Sequence, residues 1–234
     1  MIWRSVIFFS AVSVFGIGAA TLSGTVRLSE SREKSVQRDR DFSGVVVWLE
    51  PVSGRAPDPQ GPLKATMVQK NKKFRPHVLT VRRGTYIDFP NNDPIFHNAF
   101  SNFSGQVFDV GLYKPGSSRS VLFNRAGVVR VFCNIHSAMS AVIVVVESPW
   151  YTTTGADGFF RLAGVPAGEY RLKMFHERAL LSQLAQQERV VTVGAEGTSG
   201  IQLTISESGF LPTPHTDKHG KPYSASDDSY RVLK

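Results

Sequence analysis

The chain of 234 residues holds a single cysteine, Cys133. An intramolecular disulfide is therefore excluded. Long apolar runs are also missing. The one near the N-terminus, Val6 to Ile17, is shorter than the ~20 residues of a membrane-spanning helix. Nor is there a Ser-His-Asp pattern, a pair of carboxylates placed for acid–base work, or a phosphate-cradling loop. These absences argue against a hydrolase or a kinase, and the chain is not read as an enzyme. Acidic residues are absent between Pro59 and Ile87, where seven Lys and Arg occur.

The N-terminal apolar run follows one charge, Arg4, and ends in Gly18-Ala19-Ala20, small residues suited to signal peptidase. Residues 1–20 read as a signal peptide, with an uncleaved anchor as the alternative. No membrane span is expected after cleavage, and no cysteine follows the signal to carry a lipid. Export places the chain in an oxidising compartment. There an unpaired cysteine is a liability unless it has a task, and metal ligation is one.

The formal charge is +8. Residues 21–147 carry 17 basic against 10 acidic side chains, and residues 148–234 carry 9 of each. Such a skew concerns partners rather than fold. For an exported chain it suggests an acidic redox protein or an anionic surface, and no nucleic acid.

Short β-branched or aromatic runs dominate: Gly44–Leu49, Val78–Val81, Tyr86–Phe89, Val128–Phe132 and Ala141–Val146. Turn residues separate them, which predicts an antiparallel sandwich or barrel. The charged stretch Ser29–Asp41 reads as a loop or short helix, and Pro51–Pro62 as a surface loop. After Ser148-Pro149 the pattern changes to turn-and-strand units. Tyr170, Leu172 and Met174 alternate with charges, as in a half-buried strand. Ala179–Gln187 reads as a short helix or loop. Residues 207–234, rich in proline and serine, read as an extended or disordered tail, docked if at all through Tyr223 and Tyr230.

Chemistry concentrates around the cysteine. Cys133 is followed by His136 and Met139 at three-residue steps, and His97 lies upstream in an Asn-Asp-rich turn. Thiolate, two imidazoles and a thioether suit a trigonal copper site with a long axial ligand. Zinc is the runner-up metal, although zinc sites rarely use methionine. Asn98 is placed to tie the two ligand segments together or to donate toward the sulfur, and Phe132 and Phe96 to exclude water. Asn91 and Asp93 read as ordinary turn residues, with Asn92 and Asp93 able to brace the turn. His77 reads as structural, His176 as surface or inter-domain, and His215 and His219 as part of a free tail.

Residues 67–147 resemble the cupredoxins, the small blue copper proteins of plastocyanin and amicyanin type. The similarity is carried by Val78-x-x-Val81-x-x-Gly84, Ile87-x-Phe89, His97-Asn98 and Val131-Phe132-Cys133-x-x-His136-x-x-Met139. The ligand spacing is that of amicyanin, without that loop's prolines. The resemblance implies a Greek-key β-sandwich and one type 1 copper ion held by His97, Cys133, His136 and axial Met139. It also implies a bacterial periplasm, and electron transfer through a solvent-facing edge of His136 to an acidic partner such as a c-type cytochrome or a dehydrogenase. A copper carrier and a metal-free interaction scaffold are the alternatives. Residues 148–206 more weakly resemble carboxypeptidase-regulatory-like or transthyretin-like modules, through Thr154–Phe160 and Gly164–Tyr170. The expected organisation is all-β: signal peptide 1–20, cupredoxin domain 21–147, a smaller β-sandwich 148–206 and tail 207–234.

Overall fold

The computed structural model describes residues 19–58, 61–102, 105–212 and 215–223. The expected signal peptide lies outside the described residues except for Ala19 and Ala20. The elements in chain order are β1 (Ala20–Ser29), α1 (Lys34–Asp39), β2 (Val46–Pro51), β3 (Leu63–Thr66), β4 (Val68–Gln69), β5 (Phe74–Arg75), β6 (Val78–Arg82), β7 (Thr85–Pro90), β8 (Phe100–Ser101) and β9 (Phe108–Asp109). They continue with β10 (Ser118–Phe123), β11 (Gly127–Cys133), β12 (His136–Val146), β13 (Tyr151–Thr153), β14 (Phe159–Val165), β15 (Gly168–Phe175), α2 (Leu181–Gln187), β16 (Arg189–Val193) and β17 (Thr198–Ser206).

The chain is all-β, as expected, and builds two sandwiches. In the first, the sheet β10-β7-β3 faces the sheet β6-β12-β11-β8-β9. The chain crosses between these sheets from β6 to β7, from β7 to β8, from β9 to β10 and from β10 to β11, in keeping with a Greek key. Phe89, Phe123, Val131 and Ile143 fill the space between them. In the second, the sheet β14-β1-β17 faces β13-β2-β15-β16 over Leu22, Leu49, Phe160 and Leu172.

The sheets do not follow the expected boundary at residue 147. β1 lies between β14 and β17, antiparallel to one and parallel to the other, with Val26 opposite Leu203. β2 pairs with β13 and β15, with Leu49 opposite Leu172. Residues 20–51 thus complete the second sandwich instead of belonging to residues 21–147 as one unit. The physical reason is burial. β1 buries alternate residues at Leu22, Val26 and Leu28, and β14 and β17 flank it with matching apolar faces.

The unbroken apolar run of β12 has its own reason. Ala141, Ile143 and Val145 point into the first core, while Val142, Val144 and Val146 point into the second. A strand covered on both faces needs no polar alternation. β12 is therefore wedged between the sandwiches, and at its N-terminal end it carries the candidate ligands.

Candidate metal centre

β11 and β12 form a hairpin whose turn is only Asn134-Ile135, so β12 begins at His136. Pairing is regular from Gly127–Val145 to Phe132–Ser140 and then jumps to Cys133–His136. The surplus residues form a bulge. Bulges re-aim side chains, and here one sets both His136 and Met139 inward although their spacing breaks strand alternation. Cys133 follows Val129 and Val131 on the core-facing side of β11.

His97 arrives from the segment after β7. Its backbone N–H donates to the Tyr113 carbonyl at 3.2 Å, and its carbonyl accepts the Tyr113 N–H at 2.9 Å. The side chain of Asn91 closes the preceding turn. Its Nδ2 donates to the Ile95 carbonyl at 2.8 Å, and its Oδ1 accepts the Asp93 N–H at 3.0 Å.

Three donor atoms converge. His97 Nδ1 and His136 Nδ1 are 3.2 Å apart, and Cys133 Sγ lies 3.9 Å from the first and 3.5 Å from the second. All three residues are buried. The circle through these atoms has a radius of about 2.1 Å, against ligand distances of roughly 2.0–2.3 Å for metal-bound imidazole and thiolate. The donor set and its spacing therefore fit one small metal ion. Met139 is fully buried in the same core cluster as Cys133.

The imidazole of His97 is oriented by Asp93. Its Nε2 donates to Asp93 Oδ2 at 2.8 Å, which leaves Nδ1 as the lone-pair atom facing Cys133 and His136. Asp93 is itself clamped: Oδ1 accepts the Asn71 N–H at 2.6 Å and Oδ2 the Lys72 N–H at 2.8 Å. Asn71 and Lys72 both have positive φ, the conformation of a tight two-residue hairpin turn, here joining β4 and β5. Burial would raise the Asp93 carboxyl. The Lys72 N–H, the His97 imidazole and the Asn71 N–H outweigh that effect and hold it below the ordinary carboxylate range. Burial depresses His97, with Asp93 pulling the other way. Burial also pushes the Cys133 thiol up, while the backbone N–H groups of Ile135, Asn98 and His136 favour its thiolate.

Asn98 joins the two ligand segments. Its Oδ1 accepts the Asn134 N–H at 3.2 Å, and its Nδ2 donates to Asp109 Oδ1 at 2.7 Å and to the Gly111 carbonyl at 3.1 Å.

Four expectations need correction. His215 does not lie in a free tail, because its ring stacks on Phe132 and its Nε2 bonds the Ser137 carbonyl. His136 does not present an edge to solvent, since it is 1% exposed. Phe96 does not wall the site, because it points outward at 42% exposure. Asp93 is more than a turn residue. Its spacing of four from His97 was the available signal, but the backbone donors that fix it come from a hairpin more than twenty residues upstream. Phe132 is buried, and its ring lies against Phe100 and His215. His176 is also buried, bonded to Glu207 at 2.8 Å, and His77 bonds Glu177.

No protein-family model and no curated protein matches the chain. Among solved structures, a copper-containing nitrite reductase (NirK) from Thermus scotoductus SA-01 is 26% identical over 42% of this chain, with a TM-score of 0.35. The chain spans 25% of that enzyme's length. A purple cupredoxin from Nitrosopumilus maritimus is 21% identical over 36% of this chain and 99% of its own, with a TM-score of 0.32. A Cu(I) amicyanin variant is 19% identical over 36% of this chain and 82% of its own, with a TM-score of 0.34.

Proposed function

We propose that this chain is an exported type 1 copper protein that carries single electrons between partner proteins. The observation that carries the reading is the buried triangle of His97 Nδ1, His136 Nδ1 and Cys133 Sγ. A thiolate with two imidazoles suits copper, and the buried Met139 would add a thioether to that donor set. Bound copper would supply one-electron exchange between Cu(II) and Cu(I). The chain's own part is to fix the donors. Asp93 sets the tautomer of His97, Asn98 holds the Cys133–His136 turn against the His97 segment, and three backbone N–H groups face the sulfur. A frame of this kind resists rearrangement when the charge on the metal changes, which keeps electron transfer fast. The lysines and arginines between residues 59 and 87 attract an acidic partner, such as a c-type cytochrome or a dehydrogenase, and the location is the periplasm.

The test is to add Cu(II) to residues 21–234 and record visible absorption and electron spin resonance, with Cys133→Ser as control. An intense thiolate-to-copper band with narrow hyperfine splitting, lost in the control, supports the reading. Colourless, weak or absent copper binding overturns it and brings the carrier, zinc and scaffold readings forward.

A further inference from the structure

The Cys133–His136 hairpin is covered by a later part of the chain. Residues His215–Tyr223, some eighty positions beyond the ligand hairpin, lie across it. The His215 ring stacks on Phe132 with centroids 4.1 Å apart and planes 22° apart, and its Nε2 bonds the Ser137 carbonyl at 2.6 Å. The Lys218 N–H donates to Asn134 Oδ1 at 2.9 Å, and the Tyr223 hydroxyl donates to the carbonyl of Cys133 at 2.9 Å. Lys218 Nζ also pairs with Asp109 Oδ2 at 2.8 Å, and Asp109 Oδ1 holds Asn98. The segment therefore touches the hairpin at Phe132, Cys133, Asn134 and Ser137 and reaches, through Asp109 and Asn98, the residue next to His97.

The segment has its own internal order. Asp217 Oδ1 accepts the N–H groups of His219 and Lys221, each at 2.8 Å, and the His215 and Tyr223 rings meet edge to face at 5.1 Å. Yet neither core cluster includes any of its residues. Where the chain approaches it, Phe210, Leu211 and His215 line a cavity of about 330 Å³ together with Arg130, Phe132 and Ser140 of the sheet. A segment held by a few polar bonds and two rings, over a cavity, can open without unfolding either sandwich.

We infer that residues 215–223 are a strap closed over the metal hairpin, and that its opening controls access of metal and of redox partners to Cys133 and His136. The regulatory role rests on the copper reading above, whereas the closure itself does not.

The experiment uses the full chain without metal and follows labelling of Cys133, the only thiol, by an aromatic disulfide reagent. His215→Ala/Tyr223→Phe removes the ring stack, the Ser137 bond and the Cys133 carbonyl bond. Labelling is expected to speed up by roughly tenfold or more, as for loss of two hydrogen bonds and a ring stack from a local closure, with the unfolding midpoint of the sandwiches unchanged. Lys218→Glu, which sets like charge against Asp109, should also speed labelling, and high salt should reduce the gain. Unchanged labelling in a folded double variant overturns the strap. If the double variant does not fold, Lys218→Glu decides alone: labelling at the wild-type rate overturns the strap. Copper uptake by the wild type separates the two readings. Faster labelling without a blue copper form keeps the strap and removes the electron carrier, whereas a blue form with unchanged labelling does the reverse.

Discussion

Asp93 and His97 are joined by a 2.8 Å hydrogen bond from the imidazole Nε2 to a carboxylate oxygen that a distant hairpin turn also holds. The bond decides which nitrogen of His97 faces Cys133. It also links the ligand to the lysine-bearing β4–β5 turn, so charge at the surface and geometry at the centre share one residue.

Replacing Asp93 with alanine should therefore cost twice. Metal affinity is expected to fall by roughly 10–100-fold, the usual effect of losing a residue that orients a ligand histidine. Metal-free stability should fall by about 2 kcal/mol, because the Asn71 and Lys72 N–H groups lose their acceptor. Competition with a chelator and urea unfolding measure the two separately. Wild-type copper affinity in the folded variant would show that the carboxylate does not orient His97.

Met139→Leu conserves volume at a fully buried position, so its stability cost should stay below about 1.5 kcal/mol. If the thioether is the axial donor, copper stays bound by the other three residues. The reduction potential rises, since a lost donor disfavours Cu(II) most. Cyclic voltammetry checks this, and an unchanged potential would remove Met139 from the ligand set.

How far the sequence reveals this molecule depends on how local each signal is. Tyr170, Leu172 and Met174 alternate with charges, and β15 buries all three. The convergence of Cys133 and His136 was legible because the two lie three residues apart, whereas His97 had to be placed from its Asn-Asp-rich turn. The short helices α1 and α2 fall inside Ser29–Asp41 and Ala179–Gln187, where a helix or loop was expected. What stayed hidden was non-local. β1 reads as the start of the first sandwich until β17, more than 170 residues on, is seen beside it. The tail's composition fits an extended chain, and nothing local to His215 says that its ring will meet Phe132. Tyr230, the other proposed anchor of the tail, lies outside the described residues.

The placement of β1 can be tested at Gly24. A Cβ there would overlap the backbone carbonyl oxygen of Ile201, because β17 runs directly alongside. Gly24→Ala should destabilise the protein by roughly 1–3 kcal/mol, the cost of forcing packed backbone apart. Urea denaturation followed by tryptophan fluorescence would detect it through Trp150, which packs in that core. A change under about 0.5 kcal/mol, the range of uneventful surface substitutions, would mean that β1 does not lie there.

The joint between the sandwiches should respond to pH through His77. Its Nδ1 bonds the Ser140 carbonyl at 3.1 Å, and its Nε2 bonds Glu177 Oε2 at 2.9 Å, so one imidazole spans from the ligand-bearing strand to the second sandwich. The Glu177 hydrogen bond raises His77 above its ordinary 6.5, against burial. A raised folded value means that the native state holds the proton more tightly. The stabilisation is then complete below pH 6.5 and is lost as pH rises through the folded value. Glu177 is lowered from 4.5 despite its burial, so its contribution is complete above 4.5 and is lost as pH falls through its lower folded value. The link is thus strongest between pH 4.5 and 6.5. His176 acts with the opposite sign. Burial depresses it, so its contribution is present above 6.5 and is lost as pH falls through its folded value. Because His176 and Arg178 remain in both proteins, their effects largely cancel when wild type is compared with His77→Gln. The stability gap between the two should be widest at roughly pH 5–6 and narrow steadily toward pH 8–9. Unfolding curves across that range measure it. A gap that is flat, or that widens as pH rises, would mean that the imidazole does not carry a proton between Glu177 and Ser140.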